Sequence, residues 1–366
     1  MGQKLKSILF ITNIPAPYRI DFYNELGKKC NLTVIFEAKR ASGITFNWKE
    51  DTISRFKAIF LKEGEIQEKK IDWSILQYIR TLEYDAIFIT NYSYLTEMIA
   101  LLSIKLRNIL YYYEVDGAMV KKDEGIFRKT FKSFFIKGAQ AYISPSQVTD
   151  EYIRFYGGKN VRIHRYPFSS LFKNDIIKNQ LSEQDKVEIR KKLFIKESHV
   201  VLAVGQFIYR KGFDLLLKAA YTMDKSIGIY IVGGKPTAEY IQMQKKYNLT
   251  QVHFVGFKTK EELAEYFNAA DLFVHPTRED IWGLVINEAM AHGLPIVTTN
   301  KCVAGMELIA NRECLIDTDN VEQLRLILEK LINNSELRMS LAKQNLQTIA
   351  NYTIEAMVEA HLKIIG

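Results

Sequence analysis

The chain has 366 residues, of which 48% are hydrophobic and 25% are charged. This length is enough for about two domains with a core each, and the composition excludes a disordered chain. The formal net charge of +8 is unevenly distributed. Residues 1–170 contain 26 Lys and Arg against 18 Asp and Glu, whereas residues 171–366 contain 24 of each kind. All of the positive excess therefore belongs to the first half.

The cysteines and the apolar segments indicate the compartment. Cys30, Cys302 and Cys314 are odd in number and lack the CxxC spacing of a zinc site, so we expect buried thiols in a reducing compartment. The apolar run of residues 8–11 is too short for a signal sequence, and no window approaches the ~20 apolar residues of a membrane-spanning helix. We therefore expect a cytoplasmic protein, with peripheral contact at the inner face of the membrane left open.

The first half of the chain alternates short apolar runs with helical patterns. We predict strands at 7–12, 32–37, 86–90, 109–113 and 141–144, and helices at 73–82, 94–106 and 146–155. Runs that are apolar throughout, such as residues 86–89, are typical of parallel strands covered by helices on both faces. The polar stretch of residues 173–192 has no strand pattern and predicts a junction between two domains near 170–185.

The alternation then resumes and continues to the end of the chain. We predict strands at 200–204, 228–232, 252–255, 272–275 and 295–298, and helices at 213–221, 237–246, 260–269, 283–292, 320–332, 335–349 and 353–364. The pattern predicts an α/β protein with two Rossmann-like, doubly wound domains, 1–170 and 171–352, that face each other across a cleft. In such sheets ligands bind beyond the carboxyl ends of the strands, so candidate site residues should lie there.

Several fingerprints of nucleotide and catalytic sites are absent. The patterns GxGxxG, GxxxxGK[ST], GxSxG and HExxH do not occur in the expected contexts. One DxD triplet, Asp317-Thr318-Asp319, directly precedes the helix predicted from Val321. A turn with an N-cap explains this triplet better than a metal site does. We therefore assign no metal and expect no cofactor.

The most informative stretch is residues 276–295. A predicted strand ends at His275-Pro276, and Gly283 begins a helix. The free amides and the dipole at that helix end favour an anion such as a diphosphate. Glu288 lies roughly one and a half turns further on, where its carboxylate can accept two hydrogen bonds from a ribose diol. A surface helix with an ordinary acid is the alternative.

Two further turns carry cations. The first strand of the second half ends in Gly205-Gln206, and Arg210-Lys211 follow just before a helix. Adjacent cations of this kind predict a phosphate clamp, with a solvated turn as the alternative. The turn Gly233-Gly234-Lys235 adds another cation at the same predicted sheet edge. Three strand ends that together offer a site for an anion and a carboxylate for a ribose diol indicate a sugar-nucleotide site.

Residues 195–300 resemble the nucleotide-binding half of the retaining family-four glycosyltransferases (glycosyl transferases group 1), which have the GT-B fold. The signature of that family, an acid followed by Glu eight positions later, matches Asp280 and Glu288. The resemblance implies that Glu288 holds the ribose and that Asp280 holds the hydroxyls of the donor sugar. The first acid is usually Glu, and Glu279 stands beside Asp280 as a substitute. The resemblance also implies that the C-terminal helix, within residues 353–366, packs back on the first domain.

The contacts to the diphosphate follow the family pattern in part. Lys211 matches the second base of the family, whereas Gln206 stands where an Arg usually follows the first Gly. The resemblance leaves Arg210 to compensate. The donor-binding set that it implies is Gly205, Gln206, Lys211, Gly233, Gly234, Lys235, Asp280, Ile281, Trp282, Gly283, Leu284 and Glu288.

The first half carries the candidate acceptor residues. Its first strand leads into Pro17-Tyr18-Arg19, a version of this loop that resembles some transferases of surface-polysaccharide assembly. Arg19 would meet the donor phosphate or an anionic acceptor, and a local salt bridge is the alternative. The fifth predicted strand ends in Glu114 and Asp116, our candidates for contacts with sugar hydroxyls at the cleft. Strand-end capping is the alternative for these two acids.

The basic excess is concentrated in residues 119–138. This segment interleaves Lys121, Lys122, Arg128, Lys129, Lys132 and Lys137 with Ile126, Phe127, Phe131, Phe134 and Phe135. A basic helix with aromatic side chains on one side fits an anionic membrane surface. A helix that packs its Phe side on the sheet is equally compatible with the pattern. We expect no nucleic-acid partner, because no recognition motif accompanies the charge.

The reaction that the resemblance implies is sugar transfer with retention of the anomeric configuration. The donor is a nucleotide-diphosphate sugar, a UDP-sugar for preference, and the acceptor is a hydroxyl of a glycan or a lipid-linked acceptor in surface-polysaccharide synthesis. The candidate catalytic residues are Lys211, Arg210, Asp280, Glu288, Glu114 and Asp116. Two alternatives stay open: a GT-B sugar-nucleotide epimerase and a catalytically inactive subunit that binds nucleotide-sugar.

Overall fold

Two parallel β-sheets, one in each half of the chain, organise the protein. The computed structural model describes residues 5–40, 52–66, 70–79, 84–121 and 123–366. The chain divides into unit 1, which is Met1–Ser170 with Thr353–Gly366, and unit 2, which is Leu171–Tyr352. Each unit is an α/β domain built around its own sheet.

Unit 1 contains a seven-stranded parallel sheet. Its strands are β1 (Ser7–Thr12), β2 (Asn31–Phe36), β3 (Lys57–Phe60), β4 (Ala86–Ile89), β5 (Tyr112–Glu114), β6 (Ala141–Ser144) and β7 (Ile163–Arg165). Its helices include α1 (Pro17–Gly27), α2 (Ile75–Ile79), α3 (Leu95–Leu106), α4 (Ile126–Ile136) and α5 (Gln147–Gly157). The strand order is β3-β2-β1-β4-β5-β6-β7, so the direction of winding reverses between β1 and β4. Sheets of this kind bind ligands where the order reverses.

Unit 2 repeats this plan with six parallel strands. They are β8 (His199–Val204), β9 (Ile227–Val232), β10 (Val252–Val255), β11 (Leu272–His275), β12 (Ile296–Thr299) and β13 (Leu315–Ile316), in the order β10-β9-β8-β11-β12-β13. The helices are α6 (Glu183–Lys192), α7 (Phe213–Ala220), α8 (Ala238–Lys246), α9 (Lys260–Ala269), α10 (Leu284–Ala291), α11 (Val303–Leu308), α12 (Val321–Ile332) and α13 (Ser335–Ile349). The winding reverses between β8 and β11. A last helix, α14 (Ile354–Ile365), belongs to unit 1.

The central strands are buried on both faces, as their apolar sequences predict. In β1 the side chains of Ile8, Leu9 and Phe10 are all inaccessible to solvent, and β4 is buried throughout. The rings of Phe10 and Phe88 stack across these two strands with centroids 4.5 Å apart. Because such strands carry no polar side chains in their interior, the first polar groups appear at their ends.

Helix α14 is anchored in unit 1 by a buried polar pair. Nε2 of His361 lies 3.1 Å from Oε2 of Glu114, the last residue of β5, and both side chains are buried. The ring of His361 also packs against that of Phe22 on α1, with centroids 4.8 Å apart. Glu114 was expected to contact sugar hydroxyls at the cleft, with strand-end capping as the alternative. It is instead buried against α14, because the C-terminal helix covers that end of β5, a contact that the residues around Glu114 do not indicate.

Most predicted elements agree with the structure, and the strands that were not predicted share one feature. In unit 2 the five predicted strands lie within one residue of β8–β12. The strands that were not predicted are β3, β7 and β13, and each lies at an edge of its sheet. Edge strands are short and half-exposed, so they lack a continuous apolar run. The helix predicted at 73–82 appears as α2, and residues 80–82 lie outside the described part of the chain.

The polar stretch of residues 173–192, at the start of unit 2, contains a helix that was not predicted. Helix α6 begins after Ser182, whose hydroxyl accepts a hydrogen bond from the backbone N–H of Asp185. Arg190 near its end is buried, and its guanidinium lies 2.9 Å from the carboxylate of Asp271 and donates to the carbonyl of Ala269 at 2.8 Å. A charged side chain thus joins this helix to unit 2.

The structure also shows the state of the thiols and the lengths of the helices. The three cysteines are buried free thiols, as expected. In the part of the chain that the structure describes, none of the helices is both long and apolar enough to cross a membrane.

The pair between His361 and Glu114 should stabilise unit 1 strongly. We expect His361→Ala to lower the free energy of unfolding by about 3–5 kcal/mol, because it leaves a buried carboxylate without its partner. Urea denaturation followed by far-UV circular dichroism measures this change. The matched control is Glu359→Ala, since Glu359 is exposed on the same helix. An equal effect of both substitutions would contradict the assignment of the pair as an anchor.

Candidate functional site

The reversal point of the second sheet gathers the predicted basic pair and the first predicted acid. β8 and β11 are neighbours there. The turn after β8 carries Arg210 and Lys211, and the loop after β11 carries Asp280. The three side chains meet at the carboxyl edge of the sheet, which is where this fold binds ligands.

Asp280 is the centre of this cluster. Its Oδ2 accepts a hydrogen bond from Nζ of Lys211 at 2.7 Å and lies 3.0 Å from Nε2 of His275. Its Oδ1 lies 3.7 Å from Nη1 of Arg210. Asp280 and His275 are buried, and the side chain of Lys211 is only 15% exposed. One carboxylate therefore faces two cations, so the basic pair that the sequence assigns to a diphosphate keeps a net positive charge.

Burial and neighbouring groups shift the pKa of Asp280 in opposite directions. Burial alone would raise the pKa of its carboxyl group, but the hydrogen bond from His275 and the charge of Lys211 outweigh it and hold that pKa well below its ordinary value. Burial also lowers the pKa of His275, against the opposing effect of Asp280. Neutral His275 then donates Nε2–H to Asp280, and its Nδ1 has no hydrogen-bond partner within the described part of the chain.

Backbone hydrogen bonds fix the loop that carries Asp280. The N–H of Arg278 donates to the carbonyl of Arg210 at 2.7 Å, and the hydroxyl of Thr277 donates to the same oxygen at 2.9 Å. On its other side, the N–H of Asp280 donates to the carbonyl of Lys301 at 2.9 Å. The loop after β11 is therefore held between the turn after β8 and the segment before α11.

Two glycines in left-handed backbone conformation shape the site. Gly212, with φ of 69°, joins the turn of Arg210 and Lys211 to α7, and a Cβ there would lie 1.9 Å from the carbonyl oxygen of Pro276. Gly283, with φ of 97°, caps the N-terminus of α10, and its Cβ would lie 3.0 Å from Sγ of Cys302. Glycine alone fits both positions without strain. The first turn of α10 consequently lies next to Asp280.

The other candidate donor-binding residues lie at the same edge of unit 2. Gly205 follows β8, and Gly233-Gly234-Lys235 follow its neighbour β9. The exposed members of the set are Gln206, Lys235 and Ile281, and the half-buried ones on α10 are Leu284 and Glu288. Trp282 is buried, and its Nε1–H donates to Oδ1 of Asn287 at 2.9 Å. Trp282 therefore supports the start of α10 from inside.

Arg278 belongs to the site, although no sequence pattern indicated it. Its guanidinium donates to both carboxylate oxygens of Asp214, at 2.7 and 2.8 Å, and to Asp319 at 2.8 Å. It also lies 3.9 Å from the centre of the Tyr209 ring. Arg278 thereby ties the loop after β11 to α7 and to the turn before it. Its only signal in the sequence is its place next to the acidic loop.

The DxD triplet forms a turn. Asp319 binds Arg278, and Asp317 accepts a hydrogen bond from the side chain of Asn300 at 2.8 Å. Helix α12 begins at Val321 as predicted, and the side chain that caps it is that of Asn320. Within the described residues, no group of three or more His, Cys, Asp or Glu side chains is placed to hold a metal ion.

In unit 1, the predicted residues of the first loop meet Asp116. Arg19 is buried and forms an ion pair with Oδ2 of Asp116 at 2.5 Å, and the same oxygen accepts from the hydroxyl of Tyr18 at 2.9 Å. The hydroxyl of Tyr166 donates to Oδ1 at 3.1 Å. Burial raises the pKa of Asp116, and Arg19 opposes that shift. Arg19 is thus held in a local salt bridge, and Pro17 is exposed at the start of α1.

The conformation of Gly212 gives a direct test of the turn that carries the basic pair. We expect Gly212→Ala to lower the free energy of unfolding by about 1–3 kcal/mol, because alanine is strained at positive φ and its Cβ meets the carbonyl of Pro276. Denaturation curves of the purified variants measure the loss. Gly256→Ala is the control, since a Cβ at Gly256 has no neighbour within 4 Å. Equal stability of the two variants would rule out the packing described here.

The low pKa of Asp280 predicts a pH-dependent difference in stability. At neutral pH we expect Asp280→Asn to lower the free energy of unfolding by on the order of 3 kcal/mol, since it leaves Lys211 buried without its counter-ion. A carboxyl group with a depressed pKa in the folded state stabilises above its unfolded pKa of about 4 and loses this effect as the pH falls through the folded value. The difference between the two proteins should therefore shrink below about pH 4. Urea titrations between pH 3 and pH 7 measure it, and a constant difference would contradict the ion pair.

Comparisons with known proteins show which family and which folds the chain resembles. The profile of the family described as Glycosyl transferases group 1 matches residues 185–348. The lipopolysaccharide glucosyltransferase WaaG of Escherichia coli (strain K12) is 31% identical over 163 residues, which are 42% of this chain and 43% of WaaG. A Campylobacter jejuni protein named N,N'-diacetylbacillosaminyl-diphospho-undecaprenol alpha-1,3-N-acetylgalactosaminyltransferase is 25% identical over 185 residues, 50% of this chain and 48% of its own length. The matched segments span about half the length of these curated relatives.

Solved structures extend the likeness in fold to nearly the whole chain. The crystal structure of HepE from Anabaena in complex with UDP has a TM-score of 0.78 at 18% identity and covers 98% of this chain and 99% of that one. The crystal structure of WaaG has a TM-score of 0.67 at 17% identity, with 98% and 99% covered. Residues 185–348 are therefore similar to the glycosyl transferases group 1 family, and the two α/β units share the GT-B fold of these structures.

Proposed function

We propose that the chain is a glycosyltransferase that moves a sugar from a UDP-sugar to a hydroxyl of a glycan or lipid-linked acceptor, with retention of the anomeric configuration. The observation that carries the proposal is the cluster of Lys211, Arg210 and Asp280 beside the N-terminus of α10. Cations and the N-terminal end of a helix at one point suit a diphosphate, and Glu288 in the second turn of α10 suits a ribose. The family match over the same residues supports this assignment.

The donor would bind by replacing Asp280 as the partner of Lys211. In this structure Lys211 and Arg210 face the carboxylate of Asp280, which offsets one of their two positive charges. A diphosphate offers more negative charge and more acceptor oxygens, and it would take over Lys211 and the amides of α10. Asp280 then has oxygens available for the hydroxyls of the donor sugar, while His275 keeps it oriented. This requires no metal ion, because the cations and the helix end supply the positive charge.

Two relatives and one structural neighbour support the choice of substrates. HepE was crystallised in complex with UDP, which motivates a UDP-sugar as the donor here. The names of the WaaG and Campylobacter relatives specify a lipopolysaccharide and an undecaprenol-linked sugar. A hydroxyl of a lipid-linked saccharide, in the synthesis of surface polysaccharide, is therefore the acceptor that we propose.

Catalysis would be mainly electrostatic. As the bond between the anomeric carbon and the diphosphate breaks, negative charge grows on the leaving oxygen. Lys211 and Arg210 would stabilise that charge together with the first amides of α10, and preorganised groups of this kind supply a large share of many rate enhancements. Lys211 is mostly buried, and backbone hydrogen bonds hold the loop that carries Asp280, so little reorganisation is needed during the reaction.

A transfer assay with a single-cation variant tests the proposal. The purified chain is incubated with a panel of UDP-sugars and lipid-linked acceptors in the presence of EDTA, and released UDP is measured. We expect release that requires acceptor, and we expect Lys211→Ala to lower its rate about 10²–10³-fold, as for the loss of one oxyanion-stabilising donor. Lys218→Ala is the control, because Lys218 is a half-exposed cation on α7 whose partner is Asp214.

The outcomes of the assay separate the proposal from its alternatives. An interconverted UDP-sugar without any acceptor would indicate an epimerase. Binding of UDP-sugars without turnover across the acceptor panel would indicate an inactive subunit. Normal transfer by Lys211→Ala would refute the role of this cation even if transfer itself is confirmed.

A further inference from the structure

Helix α4 presents apolar side chains to solvent over most of its length. Ile126 and Phe127 in its first turn are 80% and 94% exposed, and Phe131 and Phe134 are half-exposed. Only Phe135 and Ile136, at its end, are buried against unit 1. One interpretation of the sequence was that the whole Phe-rich side packs on the sheet. In the structure only the last turn of α4 packs there.

The neighbouring end of α3 extends this apolar area. Nζ of Lys105 donates to the carbonyls of Phe134 and Phe135 at 2.6 and 2.9 Å and lies 5.4 Å from the centre of the Phe134 ring. This contact holds the last turn of α3 against the last turn of α4. Leu106 directly follows Lys105, Leu110 lies four residues further on, and the two are 83% and 70% exposed. We call Leu106, Leu110, Ile126, Phe127, Phe131 and Phe134 the α4 surface.

Cations border the α4 surface. Arg128 and Lys129 are exposed on α4 between its apolar residues, and Lys137 is exposed just after it. Nζ of Lys129 lies 4.0 Å from the centre of the Phe155 ring, so its stem runs over apolar surface. The carboxylate of Glu124 pairs with Lys132. Lys122 lies outside the described residues.

We propose that the α4 surface docks on an anionic lipid bilayer. Its apolar side chains would enter the boundary between headgroups and acyl chains, and Arg128 and Lys129 would meet headgroup phosphates. The charge argues against a second copy of this chain as the occupant, because a self-complementary contact would bring like charges together. It also favours lipid over nucleic acid, since isoleucine and leucine side chains gain nothing from a phosphate backbone.

The topology of unit 1 fixes which edge of its sheet would meet the bilayer. A helix that follows a parallel strand begins at the carboxyl edge and runs back along the sheet, so α4 begins near the carboxyl end of β5. The most exposed residues, Ile126 and Phe127, lie in that first turn. The same edge carries Arg19 and Asp116. Docking would therefore bring these residues close to a lipid-linked acceptor, a consequence that rests on the proposed function.

Co-sedimentation of the full chain with vesicles tests the docking. Vesicles of phosphatidylcholine are compared with vesicles that also contain phosphatidylglycerol, without any nucleotide-sugar. We expect binding only to the anionic vesicles. The substitutions Ile126→Ser and Phe127→Ser together should weaken it at least tenfold, and Arg128→Ala should weaken it about fivefold. The control is Phe257→Ser, because Phe257 is a similarly exposed aromatic residue in unit 2.

Each outcome of this experiment is decisive for the surface and independent of transfer activity. Failure of the unmodified chain to bind anionic vesicles would overturn the proposal, as would equal losses for the α4 variants and for Phe257→Ser. Size-exclusion chromatography with light scattering tests whether a second copy of the chain occupies the α4 surface instead. A dimer that Ile126→Ser with Phe127→Ser converts to a monomer would show that a second copy covers the surface, and would also overturn the proposal. Failure of UDP release with intact vesicle binding would refute the transferase alone.

Discussion

The buried carboxylate of Asp280 holds together parts of unit 2 that are far apart in the sequence. It pairs with Lys211 in the turn after β8 and with His275 at the end of β11. Its own backbone is bonded to the segment before α11. Withdrawing these groups from water is costly, and their mutual pairing offsets that cost. The shape of the site and its charge are therefore determined by the same contacts.

This pairing has a consequence for the chemistry. A site with bare cations would attract any anion, whereas here an anion must displace Asp280 from Lys211 and Arg210. We expect a donor that offers both a diphosphate for the cations and hydroxyls for the released carboxylate to compete better than simple phosphate. The aspartate in place of the usual glutamate fits this arrangement. Its short side chain reaches Lys211 and His275 from a loop whose backbone is bonded on both sides.

The sequence predicts individual strands and turns, but it does not predict the contacts that depend on the order of the strands in the sheet. The strands buried on both faces follow from their apolar runs, and the site turns follow from the residues just after them. The contact between Lys211 and Asp280 joins residues 69 positions apart, and it exists because β8 lies beside β11. The expectation for Glu114 was wrong about its exposure for a related reason. Its partner His361 lies 247 positions away on a helix that returns from the end of the chain.

The positive excess of the chain lies in residues 1–170, outside the candidate site in unit 2. The cations of the candidate site face carboxylates at short range, as Lys211 faces Asp280 and Arg278 faces Asp214. Arg128 and Lys129 instead lie on the surface of α4 beside exposed apolar side chains. Salt screens exposed charges much more strongly than buried pairs. Raising the ionic strength would therefore weaken the attraction of α4 to an anionic surface and leave the buried cluster largely unchanged. The charges of the α4 surface and those of the candidate site thus respond independently to salt.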